Sequence, residues 1–295
     1  MSAQIALEEA RVSKRVKKRS ARDRRRTLTV SLITLIASLF PLAPIIWMIS
    51  TSFKANHQVF EKPPRLITET FSWDAYASIF SDPTKLRFFG NSYLIATVVV
   101  ILTLLVAVHA AYAFSRYDFP GKSIINATII SVQAVPPITL LIPYFGLIVM
   151  LGLHNTHLGL ILTYLVLTLP YAIIMATSYL NTLPKELDEA VKVDGGGPMT
   201  ALWRVLLPVM APALVSVGVY TFILAWNEYL FALTLTSTND MRTVPVGIDL
   251  LMGQHAYDWN QVMAMSVLGS LPALILFAFF QRYVISGLAA GAVKT

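Results

Sequence analysis

Between Asn91 and Phe114 the chain reads NSYLIATVVVILTLLVAVHAAYAF, 24 residues without one charged side chain. At about 1.5 Å of rise per residue, a helix of that length covers a hydrocarbon core of roughly 30 Å. Working outward, comparable apolar runs occupy Leu28–Ile49, Ile124–Leu151, Leu158–Leu180, Pro208–Leu235 and Val262–Gln281. The spacing predicts an all-α, polytopic membrane protein of six transmembrane helices. Composition agrees: of 295 residues 56% are apolar and 13% charged, against about 25% charged in soluble domains. Pro41, Pro44, Pro136, Pro137, Pro143 and Pro170 fall within these runs and predict kinks, which membrane helices tolerate when neighbours satisfy the freed backbone groups.

The net charge of +7 is concentrated, with ten of the 23 Lys and Arg between Arg11 and Arg26. A basic tail (1–27) beside an apolar run is the signature of cytoplasmic retention and attraction to anionic membrane lipid, and it argues against a nucleic-acid partner. The run from Leu28 to Ile49 exceeds a signal-peptide core and lacks a small-residue cleavage site, so it reads as an uncleaved first span. With the amino terminus inside, 17 of 23 basic residues lie on the cytoplasmic side. Six spans then return the carboxyl terminus there, and the membrane domain occupies 28–295, with outer loops at about 51–90 and 236–261. Cysteine is absent, which excludes disulfide and thiol chemistry.

One cytoplasmic segment, about 181–207, is too patterned for a connector. Pro184 suits a first helical turn, and Glu186, Asp188 and Glu189 oppose the positive end of the helix dipole. Leu187, Ala190, Val191 and Asp194 are spaced as one stripe, Gly195 to Gly197 end the helix, and Pro198 opens another. The pattern predicts a rigid knob at the membrane surface; periodicity alone leaves open a helix resting passively among headgroups.

Glu189-Ala190-Val191, three residues, Gly195, nine residues, then Val205-x-Leu207-Pro208 resembles the EAA loop of membrane subunits of binding-protein-dependent ABC importers. That loop reads Glu-Ala-Ala, then Gly, then Ile-x-Leu-Pro at the same spacing; Val191 and Val205 are the departures. The stretch Ala111–Gly121, the Asn91-Ser92 pair and Ala225-Trp226-Asn227-Glu228-Tyr229 are similar to segments of the maltose-type, carbohydrate-importing branch, and the shorter six-span permease is the nearer likeness. The resemblance implies a type I ABC importer transmembrane domain in a bacterial or archaeal cell membrane. It also implies a second permease, two copies of a cytoplasmic ATPase subunit and an external sugar-binding protein. ATP and Mg would be bound by the ATPase partners, with no cofactor in this chain. Glu189, Ala190, Val191, Asp194, Gly195, Leu207 and Pro208 would then couple to the ATPase.

Glu228 is the one acidic residue inside the predicted spans, which hold no Lys or Arg. An intramembrane carboxylate normally faces a cavity or a partner. With Trp226, Asn227 and Tyr229 it supplies an aromatic, an amide and an acid within four residues, chemistry suited to a sugar's hydroxyls and ring faces. Hydrogen bonding to another helix is the plainer reading. Gln133, beside Pro136 and Pro137, is a further pathway candidate. In the outer loop Asp240, Arg242, Asp249, Gln254, Tyr257, Asp258 and Trp259 would, by the resemblance, meet the binding protein; a solvated connector is the alternative.

Other signals fail. Gly121-Lys122-Ser123 imitates the end of a phosphate-binding loop, but Arg116 stands where that motif needs its first glycine. The five histidines show no metal-ligand spacing. An ion-coupled transporter would place several ionisable groups at mid-membrane, and a membrane enzyme would need a catalytic constellation; the chain offers neither pattern.

Overall fold

The computed structural model describes residues 2–68, 70–253 and 258–292, with side chains described between 26 and 283 of that range. Gln254 and Tyr257, and the side chains of the basic tail before Arg26, lie outside the described residues.

Helix α1 runs from Ser2 to Ser52. Short helices α2 (Asn56–Val59) and α3 (Asp74–Ser81) follow, then α4 (Pro83–Arg116). Next come α5 (Lys122–Ala134), a 3₁₀ turn (Pro137–Leu140), α6 (Leu141–Met150) and α7 (His157–Leu180). The patterned segment holds α8 (Glu186–Val193), α9 (Pro198–Thr200) and a π-helical turn (Ala201–Leu206), leading into α10 (Leu207–Trp226). Helices α11 (Leu230–Leu235), α12 (Val244–Leu250) and α13 (Trp259–Ala292) complete the order.

Among the described residues five helices are long and apolar enough to cross a membrane, and a sixth span exists only as a bent pair. That pair corrects the expectation for Ile124–Leu151. Lys122–Ala134 and Pro137–Met150 meet at 101°, because two prolines in succession exclude helix from the residues before them. Val135 (ψ 121°) and Pro136 (ψ 129°) are both extended. The expected span Pro208–Leu235 is also redrawn. It begins at Pro198, ends at Trp226, and is followed by a three-residue break before α11.

Helix α4 packs along α7, α10 crosses both, and α13 closes the bundle against α10 while α1 lies on α13. Water does not drive helices together in lipid, so close approach depends on small side chains. Ala96, Val99, Thr103, Ala107 and Ala111, spaced three or four residues apart on α4, are all fully buried. The Thr103 and Thr168 hydroxyls meet at 2.8 Å between α4 and α7. A second apolar cluster, with Ala176, Leu180, Leu202, Leu206 and Met210 fully buried, ties the patterned segment to the ends of α4 and α7.

Candidate functional site

The patterned segment folds as helix α8, a glycine turn and α9, but its stripe is split. Leu187 and Val191 are half-buried, while Ala190 and Asp194 are exposed and Val193 is 86% exposed. The inward position belongs to Asp188, only 7% exposed, which sequence reasoning had assigned merely to the helix dipole. Arg116 at the end of α4 donates through Nε to Asp188 Oδ2 at 2.9 Å, and the Tyr112 hydroxyl donates to Oδ1 at 3.0 Å. A second guanidinium nitrogen donates to the Leu183 carbonyl at 3.2 Å. The signal for this anchor was present: Arg116 and Tyr112 both fall in the Ala111–Gly121 stretch, on the same membrane side as Asp188.

Gly195 ends α8 with φ +79°, the left-handed conformation that glycine adopts without strain. Its neighbour is constrained differently. A side chain at Gly196 would meet Val191 Cγ1 at 2.5 Å, so the turn packs directly on α8. Glu189 and Ala190 point outward beside Val193, giving an acidic helix with an uncovered apolar tip. Leu207 joins the second apolar cluster, and Pro208 opens α10 directly after the π-helical turn Ala201–Leu206.

The pathway candidates converge on one cavity of about 740 Å³ between the bent pair, α7 and α10. Gln133, Asn227, Glu228 and Tyr229 line it. Trp226 does not. Its indole N–H donates to the Gly269 carbonyl at 2.8 Å, its ring stacks on Phe222, and it is 3% exposed. Glu228 occupies the break after α10, where its two carboxylate oxygens accept from the Phe231 and Ala232 amides at 2.8 and 3.0 Å. It therefore caps α11, a role sequence reasoning missed. Tyr164, almost wholly buried, lines the same cavity. Asn227 spends its amide N–H on the Ile223 carbonyl at 2.9 Å, leaving its oxygen to the cavity.

Two further tyrosines complete the lining. Tyr171 and Tyr220 face each other with ring centroids 4.0 Å apart and planes 33° off parallel. No pattern in the sequence pairs them, because they come from different helices. Together the lining offers hydroxyls, amides, a carboxylate and aromatic faces without a lysine or arginine. Among the described residues no group of three or more His, Asp or Glu side chains is placed to hold a metal ion.

At the far end of the bundle the 236–261 segment is tied down by α4. Asn91 Nδ2 donates to the carbonyls of Asp240 and Arg242, both at 2.8 Å. Ser92 Oγ accepts from the Val244 amide at 2.8 Å, and Arg87 pairs with Asp240.

Residues 103–289 match the family described as binding-protein-dependent transport system inner membrane component. The chain is 39% identical to the trehalose/maltose transport system permease protein MalG of Thermococcus litoralis, covering 88% of this chain and 94% of the relative. It is 37% identical to the sulfoquinovosyl glycerol transport system permease protein SmoH of Agrobacterium fabrum, over 89% and 91%. A crystal structure of a bacterial ABC transporter that imports the acidic polysaccharide alginate superposes with TM-score 0.79 at 22% identity, covering 88% of this chain and 97% of that one; this likeness speaks for the fold.

Proposed function

This chain belongs to the family of binding-protein-dependent transport system inner membrane components, and we propose that within it the 740 Å³ cavity is one half of a sugar path and the α8 knob its link to ATP. It is a permease subunit of a carbohydrate ABC importer, a multi-pass membrane protein whose ATPase is a separate subunit. A second homologous permease supplies the other half of the path, two copies of an ATPase subunit take the two knobs, and an external binding protein delivers sugar. ATP and Mg stay with the ATPase subunits.

The observation that carries the coupling role is the build of the knob. Its acidic helix presents Glu189, Ala190 and Val193 to a partner, while its inward side is fixed to α4 by Asp188 and to α7 and α10 by the leucine cluster. A push on the exposed face is therefore passed to three spans. The charge pattern supports an inside position for the knob and both chain ends, the knob lying at 181–207 within the membrane domain 28–295. The loops 51–90 and 236–261 then lie outside.

The cavity's chemistry supports a neutral, hydroxyl-rich ligand at this half of the path. Glu228, Asn227 and Gln133 can exchange hydrogen bonds with hydroxyls, the tyrosine pair offers ring faces, and among the described residues no Lys or Arg lines the cavity to hold a sulfonate or uronate. Transport follows as population shift between two states, each favoured by a different ligand. Loaded binding protein and ATP bias the bundle to open toward the outside; hydrolysis returns it.

The test is reconstitution of the complete complex in liposomes with its binding protein. Neutral di- and oligosaccharides should stimulate ATP hydrolysis and enter with it, and collapsing ion gradients should change nothing. Uptake that follows an ion gradient and ignores nucleotide would overturn the reading.

A further inference from the structure

Helix α4 touches both the 236–261 segment and the α8 knob. One end carries Arg87, Asn91 and Ser92, which hold the 236–261 segment. The other carries Tyr112 and Arg116, which hold Asp188 of the knob. From Asn91 to Arg116 the helix rises about 38 Å.

It is also the least interrupted of the described spans. Helix α4 has no proline beyond its first turn, whereas α1 contains Pro41 and Pro44, α7 Pro170, α10 Pro212 and α13 Pro272. The remaining span is broken outright at Pro136 and Pro137. An interior proline removes one backbone bond and invites a bend. Helix α7 is also held at both ends, by Asn155 just before it to Thr238 and by Ser115 of α4 to its C-cap Asn181, but Pro170 interrupts it between them.

Asn91 is suited to fasten this rod. It is 6% exposed, and one amide nitrogen directs its two hydrogens at two backbone carbonyls. An aspartate there, equal in shape, would set a carboxylate against both oxygens.

Resting on the function proposed above, we propose that α4 is a rigid strut, with Asn91 and Arg116 as positioning residues at its ends. It carries the docking of the binding protein on the 236–261 segment to the ATPase-facing helix α8. The other spans bend during the cycle; this one translates or tilts as a unit.

The experiment uses the reconstituted complex with wild-type, Asn91→Asp and Asn91→Ala permease. Basal ATP hydrolysis and the binding-protein concentration giving half-maximal stimulation should stay at wild-type values. The maximal stimulated rate should fall at least about fivefold, the lower end of ordinary coupling between sites. Adding Asp188→Asn to Asn91→Ala should lose no more than the worse single change. Unchanged stimulation in both Asn91 variants, losses that multiply in the double variant, or a shift in half-saturation that accounts for the defect would each overturn the strut. Should the Asn91 variants fail to assemble, the native chain decides. It has no cysteine, so a pair of spin labels at cysteines replacing Thr84 and Ala113, both within α4, reports the length of α4 directly. A constant separation between resting and ATP-bound, sugar-loaded states supports the strut, and a changed one removes it. If the wild-type complex itself ignores the binding protein, the proposed function fails first.

Discussion

Arg116 and Asp188 form a nearly dry ion pair, N to O at 2.9 Å with side chains 6% and 10% exposed, between the end of α4 and the first turn of α8. A pair so enclosed adds modest net stability, but breaking it strands a charge, at about 3–5 kcal/mol. Arg116→Ala strands the Asp188 carboxylate with Tyr112 alone. Asp188→Asn strands the guanidinium but leaves it the Leu183 carbonyl and the new amide oxygen as acceptors. Both should therefore lower the melting temperature of the purified permease, Arg116→Ala the more. Thermal unfolding in detergent checks the order, and an Arg116→Ala protein that melts with the wild type would show the pair to be dispensable.

The two glycines that end α8 answer to different constraints. Gly195 has φ +79° with open space around it, so the penalty of a side chain there is conformational, about 1–2 kcal/mol for most residues and less for asparagine. Gly196 has an ordinary backbone but no room, since a Cβ there would lie 2.5 Å from Val191 Cγ1 and 3.0 Å from the Val191 carbonyl oxygen. Gly195→Asn should keep ATP-driven uptake near wild type; Gly195→Val and Gly196→Ala should both impair it while the spans still insert. Normal uptake in Gly196→Ala would mean that the turn need not pack on Val191.

Legibility differed by the range of the cause. Five spans and the knob were readable because apolar runs, charge placement and glycine stops act within one segment. The bend at Pro136-Pro137 was signalled as a kink, but its 101° angle depends on two extended residues in series. Asp188 was misread because its partner Arg116 lies 72 positions away. Trp226 was grouped with its sequence neighbours, yet helical geometry turns it toward α13 while Asn227 and Glu228 face the cavity. Sequence adjacency stood in for spatial adjacency, and the break after Trp226 undid it.

Tyr171 and Tyr220 provide the sharpest contrast with Trp226. Both rings line the cavity, so Tyr220→Ala should raise the sugar concentration for half-maximal uptake; a loss of about 1.4 kcal/mol of ring contact would read as about tenfold. Tyr220→Phe should keep most of the ring contact. Trp226→Phe keeps its packing on Phe222 and Tyr93 and loses the bond to Gly269, about 1 kcal/mol. It should melt earlier with half-saturation unchanged. Uptake assays over a sugar series separate the two, and the opposite pattern would exchange their roles.

Glu228 has two duties that substitution can part. Its carboxylate satisfies the Phe231 and Ala232 amides at the start of α11, in a setting where bare backbone groups are costly. Loss of a cap costs about 0.5–2 kcal/mol. Glu228→Gln keeps one carbonyl oxygen to accept one amide, and Glu228→Ala keeps none. Stability should fall from wild type to Gln to Ala, while half-saturation for sugar shifts in both variants because the carboxylate facing the cavity is gone from each. An alanine variant as stable as the wild type would remove the capping role. A glutamine variant with wild-type half-saturation would leave Glu228 a cap alone, with the cavity's polarity resting on Asn227, Gln133 and the tyrosines.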